Sequence, residues 1–181
     1  MRLSKVTTKG GDKGMTSLGD GKRVSKNSPH IKTIGLLDEL NARLGHASLE
    51  TQSGNIFDSL RLAQNDVFDL SGELSLASKA KPIFQKDRIL EIESEIKKMN
   101  LSLPPLKEFI LPGADELSAR IHLARTACRT AELSLFALEE DLNFRECLGI
   151  YLNRLSDYLF VMARFHVTGN KLKEAEWKHQ K

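Results

Sequence analysis

The sequence predicts an all-α protein, a five-helix bundle with a structured glycine-rich loop at its N-terminus. Three observations carry this. Apolar residues recur at three-and-four spacing over five separate stretches, no stretch sustains the two-residue alternation of a half-buried strand, and five glycines fall within residues 1–28.

Those glycines are Gly10, Gly11, Gly14, Gly19 and Gly21, interleaved with Thr7, Thr8, Thr16, Ser17 and Ser25 and with Lys9, Lys13, Lys22, Arg23 and Lys26. Glycine permits positive φ and lets backbone amides converge, so the segment reads as loop. Ser28 and Pro29 form a helix-start pair, and Ile34, Leu37, Leu40, Leu44 and Ala47 then predict a first helix over about 30–50. Ser53, Gly54 and Asn55 interrupt it, after which Ile56, Leu60, Ala63, Val67, Leu70 and Leu74 mark a second. A break at Lys79 to Pro82 precedes a third helix through Ile89, Ile92 and Ile96, ending near Met99. Pro104, Pro105 and Pro112 exclude a continuous helix from Leu101 to Gly113, which reads as an extended connector. Leu117, Ile121, Ala124, Cys128, Ala131, Leu135 and Leu138 define a long fourth helix whose core face uses small residues. Asp141 and Asn143 offer turn or cap chemistry before a fifth helix, Leu148 through Met162, which runs to about Gly169. The charged tail from Lys171 is expected to be mobile.

A chain of 181 residues that is 40% hydrophobic suits a single domain over 1–181 with one continuous core. The net charge of +3 divides between 27 basic and 24 acidic residues, too even for bulk electrostatic binding of nucleic acid, so an anion would have to be met locally. Cys128 and Cys147 lie far apart with no C-x-x-C pair, and no apolar h-region follows Met1. No apolar run approaches the roughly 18 residues of a membrane span. A cytoplasmic protein in a reducing compartment, bound to neither nucleic acid nor membrane, is the expectation.

Two constellations could carry chemistry. The loop's clustered amides, hydroxyls and ammonium groups suit a polyphosphate, although no G-x-x-x-x-G-K-[ST] string is present. Taken alone, the segment is also what a flexible basic tail looks like. On the fourth helix His122, Arg125, Arg129 and Glu132 follow steps of three, four and three and share one face. Arginine's planar fork of donors suits phosphate or carboxylate oxygens, and Glu132 could orient an arginine or reach a phosphate-bound Mg²⁺. A solvated face with ordinary helix ion pairs accounts for the same spacing. Asp38 and Asn41 share a face of the first helix; Asn153 and Asp157 lie one turn apart on the fifth. Glu176-x-x-His179 occurs once, whereas di-iron bundles need two such pairs and two further glutamates. Neither a Ser-His-Asp arrangement nor a histidine metal cluster is indicated.

Taken in order, Thr8-Lys9-Gly10-Gly11-Asp12-Lys13-Gly14, Gly21-Lys22-Arg23-Val24-Ser25-Lys26 and Leu37-Asp38-Glu39-Leu40-Asn41 resemble the N-terminal half of a PduO-type ATP:cob(I)alamin adenosyltransferase. Phe109-Ile110-Leu111-Pro112-Gly113, Ala124-Arg125-Thr126 with Arg129 and Glu132, and Tyr151-Leu152-Asn153-Arg154-Leu155-Ser156-Asp157 resemble the remaining blocks. Thr130, Ala114 and Gly10 depart from the family pattern, which more often has arginine, glycine and threonine there.

The resemblance implies a homotrimer with ATP held between adjacent subunits. It implies that Thr8, Lys9, Gly10, Gly11, Thr16, Ser17 and Lys26 hold the triphosphate with Mg²⁺, and that Arg129, Glu132 and Asn153 complete the nucleotide site. Arg125 would pair with Asp38 across the interface, and Phe109 would press on the lower face of the corrinoid. The implied reaction has Co(I) attack C5′ of ATP and release triphosphate, so protein groups position substrates and stabilise leaving-group charge without a general base. A cobalamin-dependent client enzyme is a compatible partner. An ATP-binding regulatory bundle without transfer chemistry, or a helical interaction module, is the competing reading.

Overall fold

Ser28 starts the first helix as the sequence predicts. Its side-chain oxygen accepts a hydrogen bond from the Ile31 amide at 3.3 Å, and Pro29, which has no amide to leave unpaired, fills the first turn. The computed structural model describes residues 7, 9–51, 54–76, 82–138 and 144–178. The expected turn residues Asp141 and Asn143, together with Thr8, Ser53, Lys79 and His179, lie outside them.

The helices are α1 (Pro29–Ser48), α2 (Asn55–Ser75), α3 (Arg88–Asn100), α4 (Glu116–Phe136) and α5 (Glu146–Gly169). All five fall where the apolar spacing puts them. α4 is packed between α1 and α5, α1 also packs on α2, and α5 also packs on α3. Cross-links fix antiparallel neighbours. Asn41 and Gln64 exchange hydrogen bonds between α1 and α2, Thr33 bonds Ser134 while Arg120 reaches the His46 carbonyl between α1 and α4, and Glu132–Asn153 and Asp115–His166 tie α4 to α5. Leu37, Leu40, Leu44, Ile121, Ala124, Cys128, Leu152, Leu155 and Leu159 are sealed from solvent. Because Ala124, Cys128 and Ala131 are small, α4 sits close enough to α5 for the Cys128 thiol to donate to the Leu152 carbonyl at 3.2 Å.

Polar groups close the remaining side of the bundle. Arg88 at the start of α3 reaches both carboxylate oxygens of Asp66 on α2 at 3.0 Å, and the Tyr151 hydroxyl of α5 donates to the same carboxylate at 2.7 Å. Nearby, Arg145 makes two 2.6 Å bonds to Glu73, which also accepts from the Ile83 and Phe84 amides. Burial pushes Asp66 up from its ordinary value against those bonds. At Glu73 the bonds from Arg145 and the two amides outweigh burial and hold it down.

The four short strands are what the sequence reading missed. The loop contains an antiparallel hairpin, β1 (Met15–Ser17) with β2 (Arg23–Ser25), closed by Leu18 and Lys22; Gly21 turns at φ 85°. Buried Leu18 and the Gly19 amide, which donates to the Ser75 carbonyl at 2.9 Å, dock it on the C-terminus of α2. The connector contributes β3 (Ile110–Leu111), which pairs antiparallel with β4 (Ala175–Glu176) from the tail. Strands of two or three residues are too short to display the period-two alternation by which sequence reveals strands. The tail reaches β3 because α5 ends in a Schellman turn. Lys171 adopts φ 56°, its amide bonds the Thr168 carbonyl, and the Leu172 amide bonds that of Val167, reversing the chain.

Candidate functional site

His122, which begins the i, i+3, i+7 row on α4, is packed against α5. His122 is 6% exposed, and its Nδ1 accepts a hydrogen bond from Arg125 Nε at 3.3 Å; its ring lies edge-on to Phe160 of α5 at 6.1 Å. Burial, and then the Arg125 charge, lower the His122 pKa to about 4, so the ring is neutral at pH 7 and can accept that bond. Burial and the neighbouring Arg129 likewise pull Arg125 below the ordinary arginine value. Two cations sit side by side, and among the described residues neither is paired with a carboxylate. Arg129 is exposed.

One turn further on, Glu132 is buried and accepts from Asn153 Nδ2 at 2.9 Å, while Asn153 Oδ1 accepts from Arg154, itself paired with Glu93 at 2.8 Å. This chain orients the Asn153 amide and leaves the second Glu132 oxygen available. Spacing put the α4 residues on one face, but only the α4–α5 contact brings Asn153 to them. Arg154 and Glu93 were not foreseen as its supports, because their pairing crosses 61 positions of sequence.

In the hairpin, Arg23 reaches the Gly10 carbonyl at 2.8 Å and the Ser17 hydroxyl at 3.3 Å, folding the glycine run back on β1. The Lys26 amide bonds the Gly14 carbonyl, and a Cβ on Gly11 would lie 2.9 Å from Lys26 Nζ. The structure therefore gathers Gly10, Gly11, Ser17 and Lys26, with Lys9 exposed beside them in a left-handed conformation and Thr16 half-buried in β1. Thr8 lies outside the described residues. Arg23, counted from sequence only as charge, organises the group.

Other expected members lie apart. Asp38 is exposed on α1 and forms no ion pair with Arg125 of the same chain. Phe109 exposes 79% of its surface beside β3, where its carbonyl accepts from the Trp177 amide at 2.7 Å. The hairpin sits at the end where α2 finishes and α5 begins; Phe109 sits at the end where α4 begins and α5 finishes. The 24 residues of α5 separate these ends by roughly 36 Å. Among the described residues no group of three or more His, Cys, Asp or Glu could hold a metal ion, and no helix is long and apolar enough to cross a membrane.

The family profile described as cobalamin adenosyltransferase matches residues 6–166. The chain belongs to this family. It is 43% identical to a cobalamin adenosyltransferase of Cupriavidus metallidurans over 164 residues, covering 90% of this chain and 88% of that protein. It is 39% identical to the corrinoid adenosyltransferase PduO of Salmonella typhimurium over 88% of this chain but 48% of that protein, so it spans about half of that relative. Among solved structures, a variant PduO-type ATP:corrinoid adenosyltransferase from Lactobacillus reuteri, complexed with cobalamin and ATP, superimposes with a TM-score of 0.92 at 28% identity. That match covers 97% of this chain and 100% of that one. The adenosyltransferase fold thus accounts for the whole five-helix bundle, with the arginine row on its α4–α5 face.

Proposed function

We propose that this chain transfers the 5′-deoxyadenosyl group of ATP to the Co(I) centre of a reduced corrinoid, forming adenosylcobalamin and releasing triphosphate. The observation that carries the reading is the α4–α5 face: Arg125 and Arg129 stand together with no carboxylate partner among the described residues, and Arg125 is oriented by a buried neutral histidine. Such a pair is preorganised for a polyanion. The Co(I) electron pair attacks C5′, the C5′–O bond breaks, and its electrons leave on the triphosphate. Lys9, Lys26 and Arg129 meet that charge, and no proton transfer is required.

The loop residues Thr8, Lys9, Gly10, Gly11, Thr16, Ser17 and Lys26 hold the phosphates, and Glu132 and Asn153 complete the nucleotide site. Mg²⁺ would be held mainly by the phosphates. The donor set fits that role, because Glu132 offers one carboxylate oxygen and Mg²⁺ bound with nucleotide commonly takes only one or two protein carboxylates. Phe109 covers the corrinoid's lower face, excluding water and a lower ligand from cobalt. Because hairpin and Phe109 occupy opposite ends of one chain, the site is assembled between subunits of a homotrimer, with Asp38 of one subunit paired to Arg125 of the next. Asp38, exposed and without an ion-pair partner among the described residues, supports this arrangement.

An anaerobic assay with ATP, Mg²⁺ and chemically reduced cobalamin tests the reading, with the adenosylcobalamin spectrum as the expected outcome. Phe109→Ala is expected to keep ATP affinity and lower turnover. ATP binding without product would favour a regulatory bundle instead. Sedimentation or light scattering giving any mass other than three chains would remove the trimer.

A further inference from the structure

The Phe109 ribbon poses a physical problem. A two-residue strand pair is not stable alone, yet it carries an aromatic ring that exposes 79% of its surface. The residue that holds the ribbon lies on α5. Arg164 is 4% exposed; its Nη2 donates to the Pro104 carbonyl at 3.0 Å, upstream of β3, and its Nε donates to Glu174 at 3.2 Å, immediately before β4. One buried guanidinium thus ties the connector upstream of β3 to the residue immediately before β4. Ile110 pairs with Glu176, so Phe109 stands opposite Trp177, and their backbones are joined at 2.7 Å.

We infer that Arg164 is a positioning residue for the corrinoid step: with Glu174 it clamps the C-terminal tail to the connector and thereby fixes where Phe109 is presented. The inference rests on the role proposed for Phe109. Its chemistry is that of a buried charge satisfied by one carboxylate and one carbonyl on two separate segments. Losing the guanidinium frees both segments at once, whereas losing Glu174 frees only the tail. Among the described residues Arg164 bonds only the connector and the tail, neither of which carries a proposed nucleotide group, so the clamp acts through Phe109 on the corrinoid.

Trp177 is the sole tryptophan in the sequence, so intrinsic fluorescence reports on the ribbon directly. In the full-length protein, Arg164→Met is expected to lower Trp177 anisotropy and raise the corrinoid KM by about tenfold or more, with ATP KM unchanged within about twofold. Glu174→Ala is expected to shift the same quantities in the same direction by less, and Glu174→Gln, which keeps an acceptor, to restore them. If Arg164→Met does not fold, the two Glu174 variants decide alone. Unchanged anisotropy, or loosened anisotropy with an unchanged corrinoid KM, overturns the clamp. Phe109→Ala assayed in parallel separates the two ideas: if it leaves turnover intact, the Phe109 role itself fails, whatever the clamp variants do to anisotropy.

Discussion

Arg88 and Arg145 differ from Arg125 and Arg129 in a way that divides this molecule into frame and working surface. The first two are fully engaged: Arg88 grips Asp66 and contacts Glu91, and Arg145 takes both oxygens of Glu73 and the Phe84 carbonyl. The second two leave most of their donors unused: among the described residues Arg125 bonds only His122, and Arg129, exposed one turn on, has no hydrogen-bond or ion-pair partner. An arginine whose donors are consumed inside the fold is architecture. One that is oriented yet left uncompensated is a binding group, because positive charges placed together repel unless an anion arrives.

The sharpest test of the frame is Arg88→Ala. It strands the buried Asp66 carboxylate and is expected to cost about 3–5 kcal/mol in denaturant unfolding, because the charge loses its partner. A loss below about 1 kcal/mol would erase the distinction between the two arginine sets. On the working surface, Arg129→Ala should leave the melting temperature within a degree or so of the parent while lowering kcat by about 10²–10³, the size of one missing transition-state donor. A large drop in melting temperature with normal kcat would place Arg129 in the frame.

His122 joins the two classes and gives a pH test. Its pKa is about 4 in the folded chain against an ordinary 6.5, so the unfolded chain takes up a proton that the folded chain declines. Its contribution is therefore constant above pH 6.5, and stability is lost as pH falls from there toward 4, by on the order of 3 kcal/mol at most. The groups facing the ring are Arg125 on its own helix and the uncharged Phe160 on α5. His122→Gln should flatten that part of the stability profile, and an unaltered slope would show that the ring is not the titrating group. The smallest effect is expected at Gly11→Ala, where the new methyl displaces only the tip of Lys26. ATP KM should rise by about two- to fivefold with no change in unfolding midpoint, since a far side-chain end moves at little cost. A lower midpoint would mean that the loop belongs to the frame.

Much of this was legible beforehand for a physical reason. Helical periodicity is local, so Leu37, Leu40 and Leu44, or Leu152, Leu155 and Leu159, announce their buried faces within a few turns. The Ser28-Pro29 start carries its own chemistry, and the α4 row follows from 3.6 residues per turn. The same locality explains what was hidden. Spacing could not tell Arg125, left available, from Arg88, consumed by Asp66 across 22 positions, or from Arg145, consumed by Glu73 across 72. Nor could it foresee that a charged tail turns at Lys171 and pairs with the strand beside Phe109.

The sequence by itself determined five amphipathic helices, a glycine-rich N-terminal loop and a row of cations on α4, because each depends on residues a turn or two apart. Only the tertiary structure decided which cations remain uncompensated, that Asn153 joins Glu132, and that hairpin and Phe109 lie at opposite ends of the bundle. Those outcomes depend on which distant side chains meet, and that is settled when antiparallel helices pack and buried polar groups must find partners.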